Sequence, residues 1–229
     1  MYIHGLQKMT LLDFPGRVAC TVFLAGCNLR CPFCHNSELI PMTAEPIMDD
    51  KELIEFLKKR KGLLDGVAFT GGEPLMTPGV SDLFARIRDL GYPIKLDTNG
   101  CFPDRLRSVV DAGLIEYVAM DIKNSPERYA ETSGLPKLDL APIRESVHFL
   151  LDNFVDYEFR TTVVNELHHE DDFVTIGEWI DGAKQYYLQA FKDRDSVIFE
   201  GFSAPSETQM SRFAQIVRPH VGKVEIRGL

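Results

Sequence analysis

Three cysteines crowd into one short stretch, Cys27-Asn-Leu-Arg-Cys31-Pro-Phe-Cys34, while Cys20 and Cys101 stand apart. Thiolates are soft ligands suited to zinc or iron-sulfur centres, and gaps of three and then two residues let a single loop wrap one compact metal centre. A complete zinc or electron-transfer site needs a fourth ligand. His35 is adjacent to Cys34 and would have to fold back onto the same ion, and no second pair of closely spaced cysteines exists. The site is one ligand short, and an open position is what separates a catalytic metal site from a structural one. On one iron of a cubane that position would bind a chelating ligand. A zinc site completed by a distant His or Asp is the alternative that the spacing leaves open. An odd total of five cysteines, three of them clustered, reads as a metal site in a reducing compartment and not as a disulfide framework.

The elements that must position this loop are legible as alternating patterns. Runs rich in β-branched and aromatic residues at Val18–Leu24, Val67–Thr70, Ile94–Leu96, Tyr117–Ile122, Tyr157–Val164, Tyr186–Phe191 and Val224–Ile226 predict strands. Amphipathic segments at Asp49–Leu64, Val80–Leu90, Asp104–Ala112, Ile143–Phe154, Glu170–Ile180 and Glu207–Val217 predict helices. Such alternation implies βα units, a parallel sheet and right-handed crossovers, in an open doubly wound sheet or a full or partial barrel. Polar residues fall at the strand ends. The cysteine loop follows the first strand, Gly71-Gly72-Glu73-Pro74 the second, Asp97-Thr98-Asn99-Gly100 ends the third, Asp121 and Lys123 the fourth, and Gln189 lies in the sixth. In parallel α/β architectures those ends form the rim that binds ligands.

Composition narrows the function further. With 45% hydrophobic and 26% charged residues, the 229-residue chain has the balance of a globular protein, and no repeat or linker divides it, so a single domain over residues 1–229 is expected. A net charge of −9 is the wrong sign for a broad phosphate-binding surface, which argues against nucleic acid as a partner. No apolar stretch is long enough to span a bilayer, and the first thirty residues lack the pattern of a secretory signal, so no membrane association and a cytoplasmic location are expected.

The pattern Cys27-x-x-x-Cys31-x-Phe33-Cys34 closely resembles the signature of the radical S-adenosylmethionine (SAM) superfamily. That resemblance implies a partial (β/α)6 TIM-like barrel, a [4Fe-4S] cluster on Cys27, Cys31 and Cys34, and SAM chelated to the fourth iron. One electron from the cluster then breaks the sulfonium bond to give a 5′-deoxyadenosyl radical, so the cofactors carry the chemistry and no catalytic acid or base is implied. Gly71-Gly72-Glu73-Pro74 resembles the superfamily's second motif, where the glycines let the backbone approach the methionyl end of SAM and Glu73 accepts from its ammonium.

Leu11-Leu12-Asp13-Phe14-Pro15-Gly16, Cys34-His35-Asn36, Asp97-Thr98-Asn99-Gly100 and Asp121-Ile122-Lys123 are similar to motifs of glycyl-radical-enzyme activating enzymes. That resemblance implies cofactor contacts from Phe33, His35, Thr98 and Asn99 and a monovalent cation held by Asp97 and Asp121. It also places Lys123 on the methionyl carboxylate, Arg160 near the ribose and Gln189 near the adenine. Gly5-Leu6-Gln7-Lys8, Phe159-Arg160-Thr161-Thr162-Val163 and the tail Val224-Glu225-Ile226-Arg227-Gly228 resemble the longer type of anaerobic ribonucleoside-triphosphate reductase activating protein. The implied partners are that glycyl radical enzyme and a flavodoxin or ferredoxin-like electron donor. The pyruvate formate-lyase type of activase differs at its start, having a glycine where this chain has Phe14, and Lys192 stands near the place of a histidine there.

Other readings compete with this one. A small-molecule radical SAM enzyme such as a 7-carboxy-7-deazaguanine synthase is as short as this chain, and a zinc-binding interaction module would share the cysteines. His168-His169-Glu170-Asp171-Asp172 reads as acids opening a helix. Cys20 and Cys101 read as packed thiols, and Phe173, Ile176 and Trp179 as core at helical spacing. Replacing Cys27, Cys31 or Cys34 by Ala is expected to abolish the iron and acid-labile sulfide content of the anaerobically reconstituted protein, whereas Cys20→Ala and Cys101→Ala retain both. A full iron complement in any of the first three variants would refute the ligand assignment.

Overall fold

The computed structural model describes residues 1–197 and 199–229. Two compact units are present, one built from residues 1–28, 38–118 and 154–156, the other from residues 29–37, 119–153 and 157–229. The first contains β1 (Tyr2–Ile3), β2 (Gly5–Thr10), β3 (Ala19–Leu24), β4 (Met48–Asp49), α1 (Asp50–Lys59), β5 (Gly66–Gly71), α2 (Val80–Asp89), β6 (Ile94–Thr98) and α3 (Pro103–Asp111). The chain passes to the second unit within β7 (Tyr117–Asp121) and continues through α4 (Tyr129–Thr132), α5 (Ala141–Leu151), β8 (Asp156–Val163), α6 (Glu170–Trp179), β9 (Gln185–Ala190), α7 (Glu207–Val217) and β10 (Lys223–Arg227).

Every expected strand and helix forms, and the departures have local causes. Helix α1 stops at Lys59, short of the expected Leu64, because the chain turns through Gly62 at φ +80°. Helix α5 stops at Leu151, short of Phe154, where Asn153 takes the left-handed conformation at φ 62°. Strands β1, β2 and β4 were not expected. β2 is an antiparallel edge strand whose pairing with β3 is irregular between Gln7 and Thr10, so it lacks a clean alternation. Between β1 and β2, His4 accepts through Nδ1 from the Ala25 N–H at 3.1 Å, bracing the chain where the cysteine loop begins.

In the first unit the strand order is β6-β5-β3-β2, with β3, β5 and β6 parallel. One face carries Cys20, Val22 and Leu24 of β3, Val67 and Phe69 of β5, and Ile94 and Leu96 of β6, all fully buried. Phe69 meets Phe84 of α2 edge-on at 4.8 Å, and burying each such large side chain contributes about 1.5–3 kcal/mol. The opposite face carries a row in register, Thr21, Ala68 and Lys95, with Asp97 two residues further along β6.

In the second unit β8, β9 and β10 are parallel neighbours. Tyr157, Phe159, Thr161, Tyr186 and Leu188 are buried on one face, while Glu158, Arg160, Thr162, Tyr187, Gln189 and Arg227 share the other. Glu158, only 1% exposed, accepts two hydrogen bonds from the Arg227 guanidinium at 2.9 and 3.0 Å, and that group lies over the Tyr187 ring.

The turn after α4 anchors the cysteine loop. The Arg30 N–H donates to the Ser133 carbonyl at 2.9 Å, and the chain turns at Gly134 with φ +70°. A Cβ on Gly134 would lie 2.1 Å from the Arg30 carbonyl oxygen. Gly134→Ala is therefore expected to cost about 1–3 kcal/mol through strain and displacement of the loop. It would be read as a lower melting temperature together with reduced iron incorporation, and a variant with unchanged melting and iron content would show that the turn does not hold the loop.

Candidate functional site

In the first unit three loops at the ends of β3, β5 and β6 are tied together. The Gly26 N–H donates to Leu39 O at 2.8 Å, the Cys27 N–H to Ile40 O at 3.0 Å, and the Glu73 N–H to Gly26 O at 2.7 Å. Gly26 sits at φ +96°, a conformation that favours glycine. The two glycines of the second motif are required by the chain's own backbone. A Cβ on Gly71 would lie 2.4 Å from Leu24 O, and one on Gly72 would lie 2.2 Å from Gly26 O.

Glu73 is fully buried, and its carboxylate is committed to donors of the protein. Oε1 accepts from the Leu75 N–H at 3.1 Å and from the Thr98 hydroxyl at 2.9 Å, and Oε2 accepts from the Asn99 N–H at 2.7 Å. Asn99 in turn donates through Nδ2 to Asn28 Oδ1 at 2.9 Å and lies 3.9 Å from Cys27 Sγ. Asn99 therefore holds the Cys27 side chain through a weak N–H···S contact. Asp97 pairs with Lys95 on the same face of β6. Cys101 is held through its N–H, which donates to Asn99 Oδ1 at 3.0 Å.

The second unit holds the rest of the cysteine loop. Cys31 and Cys34 flank a tight turn closed by the Cys34 N–H on Cys31 O at 3.1 Å. Phe33 between them is buried against Val164, Leu167 and Phe191, with Cys31 packed on the same cluster. His35 stacks on Phe191 with ring centroids 5.4 Å apart, and burial lowers its pKa. Its Nε2 is 2.7 Å from the Lys192 carbonyl, which can only accept, so Nε2 carries the proton. Lys192 thus serves the loop through its backbone, and Ser37 donates to Ser196 O beside it.

Asp121 is flanked by two cations, Arg160 through Nε at 2.5 Å and Lys123 through Nζ at 2.8 Å. Burial alone would push its carboxyl up, but the guanidinium and the ammonium outweigh it and hold the group well below the usual carboxylate range. Burial would likewise lower Lys123, yet Asp121 and then Cys31 raise it above the ordinary lysine value. Two cations thus converge on one carboxylate. His168, buried, has Nε2 2.9 Å from the Lys123 carbonyl. Gln189 shares its strand face with Arg160.

These residues suit the groups that the motifs imply. Cys27, Cys31 and Cys34 form no disulfide and are partly accessible, on one loop. A cubane takes one thiolate per iron, so its ligands ring a cluster and do not converge on a point; among the described residues no group of three or more His, Cys, Asp or Glu side chains gathers around a single ion. Cys20 is buried on the helix-facing side of β3, and burial pushes its thiol up to about 12. The His168–Asp172 stretch is structural: the His169 N–H donates to Asp172 Oδ2 at 2.8 Å as α6 begins, and Asp172 also accepts from Ser125 and Arg128. Phe173 and Ile176 are core, while Trp179 is half-buried beside Tyr129 under the Arg144 guanidinium.

Sequence reasoning did not find Ser133, Gly134 or the Lys192 carbonyl, because each acts through a contact distant in sequence or through its backbone, and it also passed over Lys95, whose partner Asp97 is two residues away. Lys95 in an apolar strand was the one signal available, since a lysine at a buried register position needs a partner.

The sequence profile of the Radical SAM superfamily matches residues 21–179. A Methanocaldococcus jannaschii protein assigned to the glycyl-radical enzyme activating enzymes is 29% identical over 237 residues, spanning 98% of this chain and 95% of its own. The pyruvate formate-lyase-activating enzyme of Listeria monocytogenes is 30% identical over 234 residues, 90% of this chain and 91% of that one. A radical SAM methyltransferase from Sphaerobacter thermophilus, at 15% identity, superposes with a TM-score of 0.74 over 96% of this chain and 69% of that chain. This last likeness shows the fold, an α/β protein of the partial TIM-barrel type. Among the described residues no helix is long and apolar enough to cross a membrane.

The fully buried setting of Glu73 gives it a role that does not depend on any ligand. Glu73→Gln places an amide where three donors converge, and is expected to lower the stability of the cluster-free protein by about 1–3 kcal/mol. For a chain of this size that is a melting shift of about 2–4 °C per kcal/mol. An unchanged melting temperature with weakened SAM binding would instead make Glu73 a ligand contact only.

Proposed function

We propose that this chain, which belongs to the radical SAM superfamily and within it to the glycyl-radical-enzyme activating enzymes, removes a hydrogen atom from a glycine α-carbon in a partner protein. The partner we infer is an anaerobic ribonucleoside-triphosphate reductase, with a flavodoxin or ferredoxin-like protein supplying the electron. A [4Fe-4S] cluster on Cys27, Cys31 and Cys34, with SAM, supplies the radical chemistry when bound. The chain's own residues hold and orient. Lys123 and Arg160 offer positive charge to a ligand carboxylate, Asn99 supports Cys27, and Phe33, Phe191 and His35 exclude water from the second half of the cysteine loop. No side chain is asked to act as acid or base.

The choice of partner is supported by residue 14. Phe14, which stands in place of a glycine in the formate-lyase type, is embedded in the core: it packs on Ala19 and Tyr117, and a Cβ on Gly66 would come within 2.9 Å of its ring. The N-terminal turn is thus built around an aromatic anchor, which sets this chain apart from the formate-lyase pattern and in line with the reductase-activating motifs of its sequence.

Anaerobic mixing of the reduced, reconstituted protein with SAM and a purified anaerobic reductase is expected to give a glycyl radical signal by electron paramagnetic resonance, absent when the target glycine is alanine. A signal on pyruvate formate-lyase but not on the reductase would move the assignment to that partner. Formation of 7-carboxy-7-deazaguanine with no protein radical would overturn the activase reading.

A further inference from the structure

Lys95 carries an ammonium into a position where its side chain is only 3% exposed. It stands on the polar face of β6, in register with Ala68 and Thr21, both small residues. A buried ammonium is tolerated only with a counter-charge, and Asp97, two residues on and therefore on the same face, provides it. In the second unit Asp121 already has two cationic partners, Arg160 and Lys123.

The family resemblance assigns these same two carboxylates to a monovalent metal ion, and the residues do not fit one. A metal ion at Asp97 would stand beside the Lys95 ammonium, where two like charges a few ångströms apart in a poorly solvated setting repel strongly. A metal ion at Asp121 would compete with a guanidinium and an ammonium at hydrogen-bond distance. An alkylammonium carries the charge of a potassium ion as a compact point and adds directed N–H bonds. We propose that Lys95 stands in for the monovalent cation in this chain, as the built-in counter-ion of Asp97, so that SAM binding does not depend on sodium or potassium. The inference rests on the reading that Asp97 lies at the SAM site.

The test compares the anaerobically reconstituted holoenzyme, its cluster kept oxidised so that SAM is not consumed, in choline chloride and in potassium chloride. Calorimetric SAM affinity of the wild type is expected to agree within about twofold between the salts, whereas Lys95→Met binds weakly in choline chloride and regains about tenfold with potassium. A wild-type affinity that rises about tenfold with potassium, or a folded Lys95→Met protein indifferent to it, overturns the proposal. Wild-type crystals grown in rubidium chloride give a second measurement that needs neither the variant nor SAM. Anomalous scattering should show no rubidium on an Asp97 oxygen, and an ordered rubidium there refutes the substitution of ammonium for metal. Failure of the SAM reading would show separately, as no binding in either salt.

Discussion

A carboxylate with no access to water must find its donors inside the protein, and Glu73 finds them on the turn that ends β6 and on the turn that follows β5. Leaving such a group short of partners costs far more than a surface contact returns, so the geometry of both turns is set by one side chain. The consequence runs onward through Asn99. With its backbone held by Glu73, its side chain is aimed at Asn28 and Cys27. The position of one thiol is therefore fixed by a carboxylate that does not touch it.

Close backbone packing complements this clasp. Gly26, Gly71 and Gly72 let the first part of the cysteine loop lie directly on the ends of β3 and β5, where any side chain would collide with a carbonyl oxygen or, at Gly26, with the Met42 sulfur. The glycine pair resembles a motif associated with ligand approach, yet here its first demand is internal. In the second unit the arrangement is different in kind. Phe33 is held by apolar packing, His35 by stacking and one carbonyl, and Arg30 by the α4 turn. Hydrogen bonds hold the first thiol, whereas around the other two the turn bond from Cys34 to Cys31 is joined by apolar packing of Phe33 and Cys31.

Much of this was legible in the sequence because the chemistry is carried by local motifs. Cysteine spacing, the Gly-Gly-Glu-Pro and Asp-Thr-Asn-Gly turns, and the alternation of strand and helix are all properties of short windows. What the sequence did not disclose is the pairing between windows. Glu73 and Asn99 are separated by twenty-six positions, and nothing in either turn states that the carboxylate serves the other. Gly134 carried no visible reason for being glycine until the Arg30 carbonyl was placed against it. The short strands β1 and β4 were missed because two residues carry no period, and β2 because an irregular edge strand hides its alternation.

The electrostatics of the two units follow one rule. Each strand-end aspartate meets a basic side chain two residues away on the same chain: Lys95 before Asp97, Lys123 after Asp121. The consequences differ because the surroundings differ. Lys95 is buried and pairs with Asp97. Lys123 shares Asp121 with Arg160 and also feels Cys31, a cysteine of the loop. The His168 ring donates to the Lys123 carbonyl and so restrains that residue's backbone. The two clusters thus differ by one arginine on β8, which joins Lys123 at Asp121 because its side chain shares that carboxylate at hydrogen-bond distance.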